Sequence, residues 1–215
     1  ELLGRDPKAD LAVLKINPGE INLKAVKFGD SELMRVGDWS VAIGNPLGLG
    51  GTVTAGIISA ISRDIGSGPY VKFLQTDASI NRGNSGGPLF NIDGEVIGIN
   101  TAIISISGGA DGIGFAIPID IVKYVLKEII ENGEVIRGYV GISAEINYKG
   151  IGVLVKGVQR NSPAYQGGVK EYDIIKKING KIVTEIKEVQ KIIGMLKPGQ
   201  KLSMEVKRNR SIVKI

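Results

Sequence analysis

The chain has 215 residues, which allows one or two domains. Its composition is 43% hydrophobic but only 5% aromatic, so any core must be largely aliphatic. It has no cysteine, which excludes disulfides and thiolate metal sites, and no histidine, which excludes an imidazole base within these residues. The net charge of +5 is unevenly placed. Residues 1–133 carry 11 Lys+Arg against 15 Asp+Glu, and residues 134–215 carry 16 against 7. The basic second half suits anionic partners such as peptide carboxylates or an anionic membrane surface, and equally suits a plain Lys-rich solvated surface. Nothing resembling an aromatic-interleaved basic patch is present, so nucleic acid is not an expected partner. No apolar run reaches the ~18–20 residues that span a bilayer, and the start does not read as a signal peptide.

The predicted elements begin with Glu1–Arg5, which reads as a strand end. Leu11–Ile16 is a short strand-like run stopped by Asn17-Pro18-Gly19. Asp38–Ile43 is a second, closed by Gly44-Asn45-Pro46. Thr52–Ile61 is a third, with Gly56 marking a bulge or a close approach. Glu95–Asn100 follows the turn Asn91-Ile92-Asp93-Gly94, and Asp-Gly between strand-like runs predicts a hairpin. Ile113–Ile117 is another strand. Many short strands between turns indicate a β-barrel or sandwich. Apolar residues at Ile121, Val122, Val125, Leu126, Ile129 and Ile130 then predict a helix over 119–132, stopped by Gly133.

The second half mixes types. Val153–Val155 is strand-like. Ser162-Pro163 opens a helix, with Ser as cap and Pro at its first position. Asp173–Ile178 runs into the hairpin turn Asn179-Gly180. Glu185–Leu196 carries Ile186, Val189, Ile192, Ile193 and Leu196 at helical spacing. Leu202–Arg208 and Ser211–Ile215 form a last strand pair.

The most informative segment is Gly83-Asn84-Ser85-Gly86-Gly87-Pro88. Glycines around a serine permit a tight backbone path. Such a path can aim the amides of Gly83 and Ser85 at one point, as an oxyanion hole. A Gly-Ser surface turn would look similar in isolation. The surrounding residues resolve the ambiguity. Leu74–Asn81 upstream, Leu89–Thr101 downstream and Gly112–Pro118 beyond them together resemble an HtrA/DegP-type serine protease.

That resemblance covers nearly the whole chain, and it implies the following. The fold is mainly β: a trypsin-like β-barrel protease domain over 1–133, with the second barrel largely present and the first incomplete, followed by a small α+β PDZ domain over 134–215. Ser85 is the nucleophile, and Gly83, Asn84 and Ser85 form the oxyanion hole. Asp10, in Ala9–Lys15, is the triad carboxylate, favoured over nearby Asp6 because it abuts the apolar run. The specificity pocket is lined by Ile80, Ile99, Asn100, Ile113 and Ala116, whose lack of charge implies medium aliphatic side chains before the scissile bond.

The family's histidine lies upstream of its aspartate, so an upstream segment is expected to supply the base. Gly138–Ile142 resembles a PDZ carboxylate-binding loop. The implied peptide-binding residues are Tyr139, Val140, Gly141, Ile142, Val189 and Ile193. No cofactor or metal is implied.

The implied function is endopeptidase action on misfolded or exposed polypeptides in protein quality control. Implied partners are unfolded polypeptides, peptide C-termini and copies of the chain in trimer-based assemblies. The implied location is periplasmic or membrane-anchored outside the cytoplasm, with any anchor outside this chain. The alternative is a peptide-binding or chaperone-like module whose Ser85 has no base. Ser105–Gly112 and Gly44–Gly51 read as loops, the former mobile; the latter lacks the Gly-Lys-Ser/Thr ending of a nucleotide-binding loop. Trp39 reads as core or interface.

Overall fold

A computed structural model describes residues 1–45, 50–104 and 111–215. Of the expected loops at 44–51 and 105–112, residues 46–49 and 105–110 lie outside them, and Gly44 ends a strand. The chain divides into two compact units, Glu1–Val135 and Ile136–Ile215.

The first unit opens with an antiparallel pair, β1 (Leu2–Asp6) and β2 (Leu11–Leu14). The apolar run was expected to continue to Ile16; strand β2 ends at Leu14, Lys15 still exchanges hydrogen bonds with Glu1 at 2.8 and 2.9 Å, and Ile16 is 66% exposed. Next come β3 (Lys27–Phe28), β4 (Trp39–Gly44), β5 (Thr52–Arg63), β6 (Phe73–Thr76), β7 (Pro88–Phe90), β8 (Glu95–Ile103) and β9 (Gly114–Pro118). Their order is β3-β8-β7-β4-β5-β6-β9, and β8 also pairs with β9. The ring β8-β7-β4-β5-β6-β9 is therefore a closed six-stranded barrel, with β3 added in parallel to β8. Closure satisfies the backbone polar groups that an open sheet edge would leave unpaired.

Strand alternation fills the barrel with Ala42, Ile58, Leu74, Leu89, Ile97 and Ala116. Gly56 is a close approach rather than a bulge, since pairing of β4 with β5 is regular through it. A Cβ there would lie 2.3 Å from the Ala78 amide nitrogen. Trp39 is not core: it is 60% exposed on the barrel's outer face.

Helix α1 (Ile119–Asn132) follows β9 directly and ends on Gly133, whose φ of 78° is left-handed. Its apolar face buries Val125 and Ile129 with Phe73, Phe115, Ile117 and Ala9, clasping the β1–β2 pair onto the barrel. Its first turn is fixed by Asp120, which accepts from the Ser31 amide at 3.0 Å and from the Ser31 hydroxyl.

The second unit contains β10 (Ile142–Ala144), β11 (Val153–Val158), α2 (Pro163–Gln166), β12 (Ile174–Ile178), β13 (Lys181–Ile182), α3 (Ile186–Gly194), β14 (Met204–Arg208) and β15 (Ser211–Lys214). The sheet order is β10-β11-β12-β14-β15, with β13 paired to β12, so β10 is an edge strand. Val155, Ile175, Ile178, Val183 and Val206 are fully buried, and α3 covers them with Val189 and Ile193. Ser162 caps α2 by accepting from the Tyr165 amide at 3.2 Å. Asn179 and Gly180, at φ 48° and 77°, form the β12–β13 turn.

Candidate active site

The segment between β6 and β7 is built from two consecutive turns. The Asn84 amide donates to Asn81 O at 3.0 Å, placing Arg82 and Gly83 at the turn's centre. Gly83 has φ 101°, a conformation that needs glycine at the third turn position. The Gly87 amide then donates to Asn84 O at 2.9 Å, closing a second turn around Ser85 and Gly86. Two bonds stitch this loop to β8: Gly86 N to Asn100 O at 2.8 Å, and Asn100 N to Gly87 O at 2.9 Å. Its inner side is anchored by Asn84, which is 1% exposed and donates from Nδ2 to Ser79 O. Gly44 at the end of β4 lets Asn84 seat there, since a Cβ on Gly44 would lie 2.6 Å from Asn84 Cα.

Ser85 is left exposed at the apex, with its Oγ donating to Thr101 O at 2.9 Å. Thr101 in turn donates from Oγ1 to Asp10 Oδ2 at 2.7 Å. Thr101 therefore touches both groups that the sequence singled out. Asp10 has φ 56° and immediately precedes β2, at the end of the β1–β2 turn. Asp6 is 2% exposed and accepts from the Lys8 amide at 3.1 Å.

Of the expected oxyanion amides, that of Asn84 is spent on the turn. Among the described residues, the amides of Gly83 and Ser85 have no backbone acceptor and remain available. Gly83 O accepts from the Asn45 amide at 3.3 Å.

A cavity of about 330 Å³ adjoins Ser85, lined by Ile80, Asn81, Arg82, Thr101, Ala102 and Ile103. Of the five expected lining residues, only Ile80 borders it. Ile99 is partly buried on β8, and Ile113 is 37% exposed. Asn100 and Ala116 are fully buried. Asn100 instead ties strands together, donating from Nδ2 to Pro88 O at 3.2 Å. Sequence reasoning missed Thr101, Ala102, Ile103 and Arg82. A hydroxyl next to Asn100 in the mostly apolar stretch Ile97–Ile103 was the available signal for Thr101. No group of metal-ligating side chains occurs among the described residues.

In the second unit, the Val140 carbonyl accepts from Ala164 N and the Gly141 carbonyl from Gln159 N, both at 2.9 Å. Among the described residues, the amides of Tyr139, Val140 and Gly141 donate to no backbone carbonyl. Gly141, at φ 78°, packs on Ser162, and the Tyr139 hydroxyl donates to Gln159 Oε1. Tyr139, Val140 and Ile193 border one cavity of about 400 Å³. Tyr139, Gly141 and Ile142 border another of about 390 Å³. Val189 is 1% exposed and packs in the core rather than lining either.

Comparison with known proteins agrees with both halves. A trypsin-like peptidase domain model matches residues 1–99, and a PDZ domain model matches residues 138–215. The chain is 46% identical, over all of its length and 44% of the relative's, to a probable periplasmic serine endoprotease DegP-like of Brucella suis. A protein of the same description from Rhizobium meliloti is 49% identical over 93% of this chain and 41% of its own length. The chain thus spans less than half the length of these relatives. Among solved structures, the HtrA-type protease AlgW with decapeptide superposes with a TM-score of 0.87 at 44% identity, covering all of this chain and 69% of that one. The serine endoprotease from Yersinia pestis gives 0.75 at 42% identity, covering 72% of that chain.

Proposed function

The chain belongs to the family of HtrA-type proteases, and on that premise we propose that it is the nucleophile-bearing part of a serine endopeptidase coupled to a peptide-binding PDZ unit. One observation carries the reading: Ser85 and Asp10 meet on a single residue, Thr101, beside an open cavity. In this scheme Ser85 Oγ attacks a peptide carbonyl, and the free amides of Gly83 and Ser85 stabilise the developing oxyanion. Asp10 orients and stabilises the protonated base, with Thr101 Oγ1 holding the carboxylate in place. The base itself is an imidazole from outside these 215 residues, which contain no histidine. That the relatives are named endoproteases favours this reading over a purely peptide-binding module.

The uncharged lining from Ile80, Ala102 and Ile103 suits a small or medium aliphatic side chain before the scissile bond. The substrates are exposed or misfolded polypeptides, in the periplasm that the relatives' names specify. In the PDZ unit, the amides of residues 139–141 capture a terminal carboxylate while β10 accepts the peptide as an added edge strand. Assembly is trimeric, which light scattering of the native protein checks directly.

The decisive assay is casein cleavage by the native protein and its Ser85→Ala variant. Loss of turnover in the variant is expected, and undiminished turnover rejects Ser85 as nucleophile. For the PDZ unit, a peptide with a free C-terminus should bind more tightly than its amidated twin. Equal affinity rejects carboxylate capture.

A further inference from the structure

Arg82 stands at the tip of the Asn81–Asn84 turn, fixed there by the Asn84 N–Asn81 O bond and by the left-handed Gly83. It borders the same cavity as Ser85 and is the only charged residue lining that cavity among the described residues. Arg82 is exposed, and no hydrogen bond or ion pair engages it among the described residues. The ten residues outside the description, Pro46–Leu49 and Ser105–Ala110, contain no carboxylate that could neutralise it. The surrounding half of the chain is net acidic, with 11 Lys+Arg against 15 Asp+Glu over residues 1–133. An unpaired arginine held beside the nucleophile is a planar, permanently charged donor facing whatever occupies the cavity.

We propose that Arg82 is a specificity-determining residue that selects polypeptides bearing an Asp or Glu close to the scissile bond. The inference rests on Ser85 being the nucleophile, and it adds a requirement that the aliphatic lining alone does not impose. Ile80, Ala102 and Ile103 receive one apolar side chain, and Arg82 receives a carboxylate from a neighbouring position of the same segment. The pair forms at the cavity mouth in contact with water, so its effect is moderate and sensitive to salt.

The test uses the native protein and fluorogenic peptides that differ only in Glu against Gln, scanned from three residues before to two after the scissile bond. At one or more positions kcat/KM for Glu should exceed that for Gln by roughly two- to fivefold, the range an exposed ion pair supports. The ratio should fall to one in Arg82→Gln, invert in Arg82→Glu, and survive in part in Arg82→Lys. It should also shrink as salt rises from about 50 to about 500 mM, where the Debye length drops several-fold.

A ratio of one at every position in the unaltered protein overturns the proposal. So does a ratio that persists in Arg82→Gln. The same peptides, amidated so that the PDZ unit does not capture a carboxylate, are then titrated against Ser85→Ala by fluorescence anisotropy. Glu should again bind more tightly than Gln, and this difference should vanish in the double variant with Arg82→Gln. Persistent cleavage by Ser85→Ala would instead reject the nucleophile assignment, so the two failures are distinguishable.

Discussion

Gly44→Ala is expected to damage the active site from behind. The new Cβ would lie 2.3 Å from Asn84 Oδ1, 2.6 Å from its Cα and 2.8 Å from its Cγ. Ordinary carbon contacts sit at about 3.5–4.0 Å, so the backbone of residue 84 must retreat by roughly 1 Å. Overpacking of this kind costs about 1–3 kcal/mol. For a unit of 135 residues, an unfolding entropy of about 2.1 cal/mol/K per residue converts that cost into a Tm lower by roughly 4–11 °C. Activity should suffer more than stability, because the displaced residue adjoins Ser85, and a misplacement of about 1 Å can cost on the order of a hundredfold in rate. Gly51→Ala is the matched control, since its Cβ would meet nothing within 4 Å. Calorimetry and peptide turnover on both variants of the native protein decide the matter. If Gly44→Ala keeps the Tm and turnover of Gly51→Ala, the seating of Asn84 against β4 does not hold the nucleophile loop.

Thr101→Val keeps the β-branched shape on β8 but removes the hydroxyl that holds Asp10. Turnover should fall by at least about tenfold through misorientation, with Thr101→Ser retaining most of it; a fully active Val variant would remove Thr101 from the site. Asp173 governs acid stability in the second unit. Burial pushes its carboxyl up, but hydrogen bonds from Arg208 at 2.7 and 2.8 Å and from the Lys170 amide at 2.9 Å outweigh that and hold it below the usual carboxylate range. A depressed folded value means that this stabilisation is complete above the unfolded pKa of ~3.9 and is lost as pH falls through the folded one. Amide-exchange protection factors in residues 136–215 should therefore fall progressively below about pH 4, and Asp173→Asn, destabilised by about 2 kcal/mol at neutral pH, should show a flatter acid limb. An unchanged acid limb in that variant would assign the effect to other carboxylates.

Much of the architecture was legible along the chain because its signals are local. Turn residues such as Asp93-Gly94 and Asn179-Gly180 announce hairpins through their tolerance of positive φ. The helix over 119–132 follows from its apolar spacing and the glycine after it, and α1 has those same bounds. The Gly83–Pro88 hexapeptide, together with the matching segments around it, identified the family without any knowledge of contacts. Element ends were less legible, as at β8, which runs to Ile103 rather than Asn100, because a strand stops where its partner stops and Ile103 pairs with Gly114 of β9.

The composition of the site was decided in three dimensions. Ile99, Asn100 and Ala116 lie in the right segments, but alternation along β8 and β9 sends Asn100 and Ala116 into the barrel interior. Thr101 and Arg82 enter the site because β8 runs beside the nucleophile loop and because one turn places its second residue at the cavity. Thr101 and Asp10 are 91 residues apart, and only closure of the barrel with α1 clasping the first hairpin brings them to 2.7 Å. By itself the sequence determined most of the elements and which family they belong to, since propensity and turn chemistry act between near neighbours, whereas the two-residue β3 exists only through its pairing with β8. Tertiary structure decided which side chains share the cavity with Ser85, since strand register and loop packing depend on residues far away along the chain.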